Sequence, residues 1–151
     1  MTFSELSLDT LLQSDPDALY EQAVRWRHGD GLGSDLFSAR RVFGFLSLSA
    51  HSAARYQLGV MNLRGEGGAK NPIRALMWFR LAHGRDEPRA ASQIKMLSEE
   101  LTAIDARRAL KMVAEAEKSV RLFFLARDTE SEDRKSTRLN SSHIPLSRMP
   151  S

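Results

Sequence analysis

The 151-residue chain contains no cysteine. Disulfides, thiolate nucleophiles, zinc–thiolate sites and iron–sulfur clusters are thereby excluded together. Aromatic residues are scarce at 7%, and proline occurs only five times. No apolar run approaches the roughly 20 residues that a membrane span needs. The opening stretch, MTFSELSLDTLLQSDPD, lacks the basic and apolar regions of a secretory signal. These absences set the expectation of a cytoplasmic protein that neither crosses nor binds a membrane. Hydrophobic residues at 42% and charged residues at 27% are the mix of a globular chain of one domain.

An excess of positive charge is also missing from most of the chain. The net charge is +3, and the pI of 9.6 invites a nucleic-acid reading. Residues 133–151 alone hold Arg134, Lys135, Arg138 and Arg148 against Asp133, which leaves 18 basic and 18 acidic groups in residues 1–132. The body therefore has no net field to attract polyanions. The rest of the tail is rich in Ser, Arg and Pro without helical period, and 128–151 reads as a disordered segment. Within it, DRKSTRLNSSH resembles one translated frame of a widely used sequencing-library adapter, and SRMPS resembles a later part of the same adapter. The resemblance implies that 133–151 is adapter-derived; the rival reading is a basic arm for nucleic acid or membrane.

What the body does contain is a repeat of 36 residues. Residues 18–43 fall on 54–79 without gaps: Ala18 on Ala54, Tyr20 on Tyr56, Val24 on Val60, Gly29 on Gly65, Gly31 on Gly67, Ala39 on Ala75 and Phe43 on Phe79. Asp30 and Asp35 fall on Glu66 and Asn71. A fixed offset that keeps small, aromatic and turn positions is the signature of a solenoid.

Each unit reads as two helices. Asp15 caps a first helix with Pro16 at its first position, and Gly29, Gly31 and Gly33 end it. Asp35 caps the next, LFSARRVFGFLSLS. AARYQLGVMNLR ends at GEGG, and Asn71 with Pro72 starts IRALMWFRLAH. Asp86 and Pro88 open PRAASQIKMLSEEL, and Thr102 with Asp105 forms an acidic capping box for a last helix over 103–125. Ala75, Trp78, Phe79 and Ala82 follow the i, i+3, i+4, i+7 spacing of a buried helical face. Gly59 and Ala75 are small enough to let two helix backbones approach.

The pattern AARYQLGVMNLRGEGGAKNPIRALMWFRLA resembles a Sel-1-like repeat (SLR), a relative of the tetratricopeptide repeat (TPR). Ala54, Leu58, Gly59, Gly65, Glu66, Gly67, Asn71, Ala75, Trp78 and Ala82 carry the match. The first unit is degenerate, with Gln22 and Ala23 in place of Leu-Gly and Val42 in place of Trp. A third, partial unit has Ile94 and Lys95 in the Leu-Gly positions and no glycine loop. Its continuation, LSEELTAIDARRALKMVAEAE, resembles the helical ends of bacterial members.

The fold expected is an all-α helix-turn-helix solenoid, right-handed, of about 2.5 SLR/TPR-like repeats plus a capping helix. Its parts are an N-terminal extension over 1–14 and a solenoid domain over 15–127, with repeats at 18–53, 54–89 and 90–102 and the cap at 103–125. Leu122 to Leu125 caps the stack or joins two copies.

The resemblance implies an interaction module, an adaptor or scaffold that binds a protein or peptide on its concave face. By analogy with TPR grooves, the inward residues are Tyr20, Val24, Arg27 and His28, then Tyr56, Val60, Leu63 and Arg64, then Ser92, Met96, Glu99 and Glu100. Tyr and Arg are the types that anchor interfaces. The bland alternative is that the tyrosines pack between helices and that Arg27 and Arg64 only complement helix dipoles. A second copy at the open end of the stack is the other expected partner; nucleic acid is not expected.

Enzyme readings are weaker. Ser92-Gln93-Ile94-Lys95 matches S-x-x-K of β-lactamase-type hydrolases, but S-D-N and K-T-G do not occur. GDGLG and GEGG match no phosphate-loop pattern. His28, His51, His83 and His143 show no helical metal-pair spacing. Neither catalysis, nor a cofactor, nor a metal is expected.

Overall fold

The structure, a computed structural model, describes residues 7–29, 34–83 and 87–121. Six helices follow one another: α1 (Leu8–Gln13), α2 (Pro16–His28), α3 (Leu36–Leu48), α4 (Ser52–Arg64), α5 (Pro72–His83) and α6 (Arg89–Glu100). Residues 103–115 are helical as well and are called α7 here. The chain divides into two units, Met1–Glu115 and Ala116–Ser151. In the second, residues 116–121 are described, and they are helical. No strand occurs among the described residues. The expectations placed on Asp30, Gly31, Gly33, Asp86, the Leu122–Leu125 run and the 128–151 tail with His143 lie outside the described residues.

The helix boundaries are local chemistry. The Asp15 carboxylate accepts from Ala18 N at 3.0 Å, with Pro16 just inside the helix. Asp35 accepts from Ser38 N at 3.0 Å, and Asn71 from Arg74 N at 3.0 Å. The first, or A-type, helix of each complete repeat (α2 and α4) ends on a left-handed glycine, Gly29 at φ 78° and Gly65 at φ 74°, a conformation that costs glycine nothing. The repeat extends to single backbone bonds. Gly29 N donates to Arg25 O and Gly65 N to Met61 O; Asp35 N donates to Trp26 O and Asn71 N to Asn62 O. Each pair is displaced by the same 36 residues.

Three further boundaries follow local chemistry, one of them shifted by a residue from the sequence reading. His51 caps α4, its Nδ1 accepting from Ala54 N at 3.2 Å. α6 begins at Arg89, and Pro88 precedes it without a side-chain cap. The third repeat closes without glycine: Leu101 turns extended (φ −82°, ψ 151°), and Thr102 Oγ1 accepts at 3.2 Å from Asp105 N to start α7.

Within the first unit the strongly packed pairs are α2–α3, α3–α4, α4–α5 and α5–α6. Packing that is strongest between successive helices, with each repeat touching only its neighbours, is what a solenoid requires. Two apolar clusters result. Leu19, Ala23, Val42, Phe43, Leu46, Leu58 and Met61 belong to one. Val60, Ala75, Leu76, Phe79, Ala90, Leu97 and Ala109 belong to the other. α4 contributes to both and is buried from Ala54 to Asn62, apart from half-buried Tyr56.

Gly59 lies against the Phe79 ring. A Cβ placed there would stand 2.6 Å from the ring, inside any real contact distance. Gly59→Leu is therefore expected to overpack the α4–α5 seam and cost about 1–3 kcal/mol, read as a lower melting temperature by circular dichroism. A melt unchanged from the parent would refute this account of the seam.

Candidate functional site

The faces presented by α2, α4 and α6 are the candidate site, because repeat-equivalent side chains line up there. Helical spacing of four places Tyr20, Val24 and His28 on one face of α2. Adding 36 gives Tyr56, Val60 and Arg64 on α4, then Ser92, Met96 and Glu100 on α6. The rows differ in what they are free to do. His28, Arg64 and Glu100 are all exposed, as are Ser92 and Met96. Val60 is buried, and Val24 is half-buried against the core.

The two tyrosines are held rather than free. Tyr20 stacks on His51 with centroids 5.0 Å apart and tilts against Phe43 at 5.7 Å. Its hydroxyl accepts from Gln57 Nε2 at 3.1 Å. Tyr56 tilts against Phe79 at 5.4 Å, and the Arg89 guanidinium lies 4.2 Å over its ring. Both rings are largely covered but keep an edge towards solvent. They pack between helices and still border the face.

Arg27 has a different task. It is buried, and its guanidinium forks onto the Glu66 carboxylate, Nε to Oε1 at 3.0 Å and Nη2 to Oε2 at 2.9 Å. Its Nη1 donates to Gln57 Oε1 at 2.7 Å. Geometry of this kind is the strong, bidentate form of an ion pair. It ties the end of α2 to the loop after α4, one repeat further on. Arg40 reaches the same loop, donating to Glu66 O at 3.2 Å and to Asn62 Oδ1 at 2.9 Å. The structure thus commits Arg27 to joining repeats, beyond the dipole role that its helix-end position suggested.

Among the described residues this device occurs once. Gln93 stands 36 residues after Gln57, but the counterpart of Arg27 is Leu63. Gln93 Oε1 is accordingly a buried acceptor without a hydrogen-bond partner. Leu63 is half-buried against the second cluster, and Glu99 is exposed.

Arg89 and Glu87 join the face, and sequence reasoning missed both. The Arg89 Nε donates to Glu87 Oε1 at 2.7 Å and its Nη2 to Oε2 at 3.0 Å. The hydrogen bond from Arg89, assisted by its charge, lowers the Glu87 pKa against an opposing effect of burial. The same bond raises the Arg89 pKa. The repeat offset was the available signal: Glu87 occupies the position of Asp15 and His51, ahead of the A-type helix. Ser92 Oγ donates to Arg89 O at 3.3 Å in its own helix. No group of three or more His, Asp or Glu side chains suited to a metal occurs among the described residues, and none of their helices is long and apolar enough to cross a membrane.

No family model and no curated protein matches the chain. Solved structures do. One is a protective antigen present in uropathogenic Escherichia coli strains and displaying an SLR fold, with TM-score 0.67 and 20% identity over 79% of this chain. Another is a Sel1 repeat protein from Oxalobacter formigenes, with TM-score 0.55 and 20% identity over 74% of this chain. The chain spans 26% and 46% of those two proteins. The fold is therefore the all-α solenoid of SLR proteins.

Two stability measurements test the bonds described above. Glu66→Gln leaves the Arg27 charge buried without its counter-ion, and we expect a loss of about 1–3 kcal/mol in urea unfolding; an unchanged midpoint would show that the fork contributes nothing. For Glu87 the lowered pKa fixes the sign. Its contribution is full above the ordinary carboxylate range and fades as pH falls through the lowered folded value. With Arg89 half exposed, Glu87→Gln should cost at most about 1 kcal/mol near neutrality. The gap between variant and parent should close between about pH 6 and about pH 3; a gap that widens on acidification would contradict the assignment.

Proposed function

We propose that the chain is a protein-interaction module, an adaptor or scaffold that holds a peptide or helix of a partner on the face of α2, α4 and α6. The supporting observation is the register of that face. His28, Arg64 and Glu100 are repeat-equivalent and exposed, with Met96 exposed beside them and half-buried Tyr20 and Tyr56 behind. A row of side chains that packing leaves free, above a row that packing fixes, suits recognition of varied partners on a constant frame. The row changes from imidazole to guanidinium to carboxylate, so it favours a segment with acidic and basic groups in that order. In this reading the protein works in the cytoplasm on a protein partner, not on nucleic acid or a lipid surface, and recognition rests on shape and side-chain anchors without cofactor, metal or catalysis.

A second copy is the alternative occupant, and one observation favours it. Ile104 and Leu110 on α7 are 63% and 50% exposed. Large apolar side chains left in solvent favour association.

The experiment is selection of a displayed peptide library on the whole chain, with Arg64→Ala/Met96→Ala as control bait. Both positions are exposed, so the control keeps its fold. We expect one enriched motif on the parent, reduced at least tenfold on the control. Equal enrichment on both baits would sink the assignment of this face. Sedimentation of the parent against Ile104→Ser/Leu110→Ser decides the alternative: a dimer lost in the variant would establish self-association through α7.

A further inference from the structure

The opposite set of helices carries an apolar cavity that the α2–α4–α6 face does not use. It measures about 320 Å³, at the lower end of the range for ligand pockets. Leu58 on α4, Met77 and Trp78 on α5 and Met112 on α7 supply its apolar lining, and Arg40 and Arg74 its charge.

Two independent features indicate an occupant. The first is Gly44 of α3, which also lines the cavity. A glycine inside a helix costs about 1 kcal/mol relative to alanine, so the space around it shows what its missing side chain leaves open. At Gly59 that space is taken by the Phe79 ring. At Gly44 no such neighbour exists: a Cβ there would meet nothing within 4 Å, and its φ is not positive. The equivalent position one repeat later is Arg80, so the repeat does not demand glycine. What Gly44 provides is empty space in the cavity wall.

The second feature is charge. The Arg40 guanidinium donates only to the neutral acceptors Glu66 O and Asn62 Oδ1. Arg74 is exposed, and neither arginine is paired with a carboxylate among the described residues. Two guanidiniums at the edge of an apolar cavity complement an anion attached to an apolar group. Guanidinium donors match carboxylates in particular, and Trp and Met walls suit a large, adaptable side chain.

The geometry points to a second docking site on the α3–α5–α7 side, for a partner segment in which an Asp or Glu adjoins a large apolar side chain. The apolar side chain fills the space beside Gly44, between Trp78 and Met112. The neighbouring carboxylate is held by Arg74 and by the free donors of Arg40. This site is separate from the face assigned above and does not depend on that assignment.

The test uses the whole chain with methyl-labelled methionine and two acetylated, amidated hexapeptides, GELFEG and GQLFQG. GELFEG is expected to shift the Met77 and Met112 methyl resonances in a saturable way. GQLFQG should bind at least tenfold more weakly. Arg74→Gln, an exposed change, should weaken GELFEG about five- to tenfold. Gly44→Leu should keep or raise the melting temperature, since it adds a side chain to open space in a helix, and should abolish the shifts. No shift at millimolar peptide, equal binding of the two peptides, or shifts that persist in folded Gly44→Leu would each overturn the proposal.

Discussion

The unit Met1–Glu115 depends on one helix being buried on two sides. α4 sends Ala54, Leu58 and Met61 into the cluster shared with α2 and α3, and Val60 into the cluster shared with α5 and α6. A helix pair buries only one face of itself, so a single repeat has no adequate core. α4 provides the continuity by packing in both directions. That position imposes two demands: close approach to α5, met by Gly59 under the Phe79 ring, and satisfaction of every polar group carried inward.

The second demand is met by arginine and amide side chains. Buried Arg55 donates from Nε and Nη2 to Ser47 O and from Nη1 to Leu81 O, reaching the last turns of α3 and α5. Carbonyls there lack intrahelical partners and favour a cation. Buried Asn62 donates to Leu58 O and accepts from Arg40. Gln57 sits between Arg27 and Tyr20. A guanidinium bonds several oxygens at fixed angles, so these contacts define the register of neighbouring helices as well as their attraction. The loop after α4 is fixed from the preceding repeat, through the Glu66 carboxylate and the Glu66 carbonyl, as well as by its own backbone bonds to α4.

The two sides of the stack then have different characters. The α2–α4–α6 side is a regular surface in which side-chain identity changes from repeat to repeat at constant spacing. The α3–α5–α7 side holds an open cavity with Gly44 in its wall, at a position that one repeat later is Arg80. Repetition of the backbone gives the regular surface; a local departure from repetition gives the cavity.

Much of this protein was legible in its sequence, for local reasons. Caps at Asp15, Asp35, Asn71 and Thr102, glycine ends at Gly29 and Gly65, and the 36-residue offset depend on neighbours a few residues apart, so the helix order and the solenoid class follow directly. The rows of the α2–α4–α6 face follow as well, since helical spacing plus the offset defines them. What each side chain does there was decided by tertiary structure. Arg27 and Arg64 both end their helices, yet Arg27 turns onto Glu66 39 positions away while Arg64 stays in solvent. Arg89 came to lie over Tyr56 through the packing of α6, and nothing in its own segment announces an aromatic neighbour. Gly59 was legible as a point of close approach, whereas the empty space beside Gly44 appears only in the packed structure. Short-range backbone chemistry is written along the chain. Ion pairs, ring contacts and cavities depend on which distant atoms occupy the same volume, and that is settled only when the helices pack.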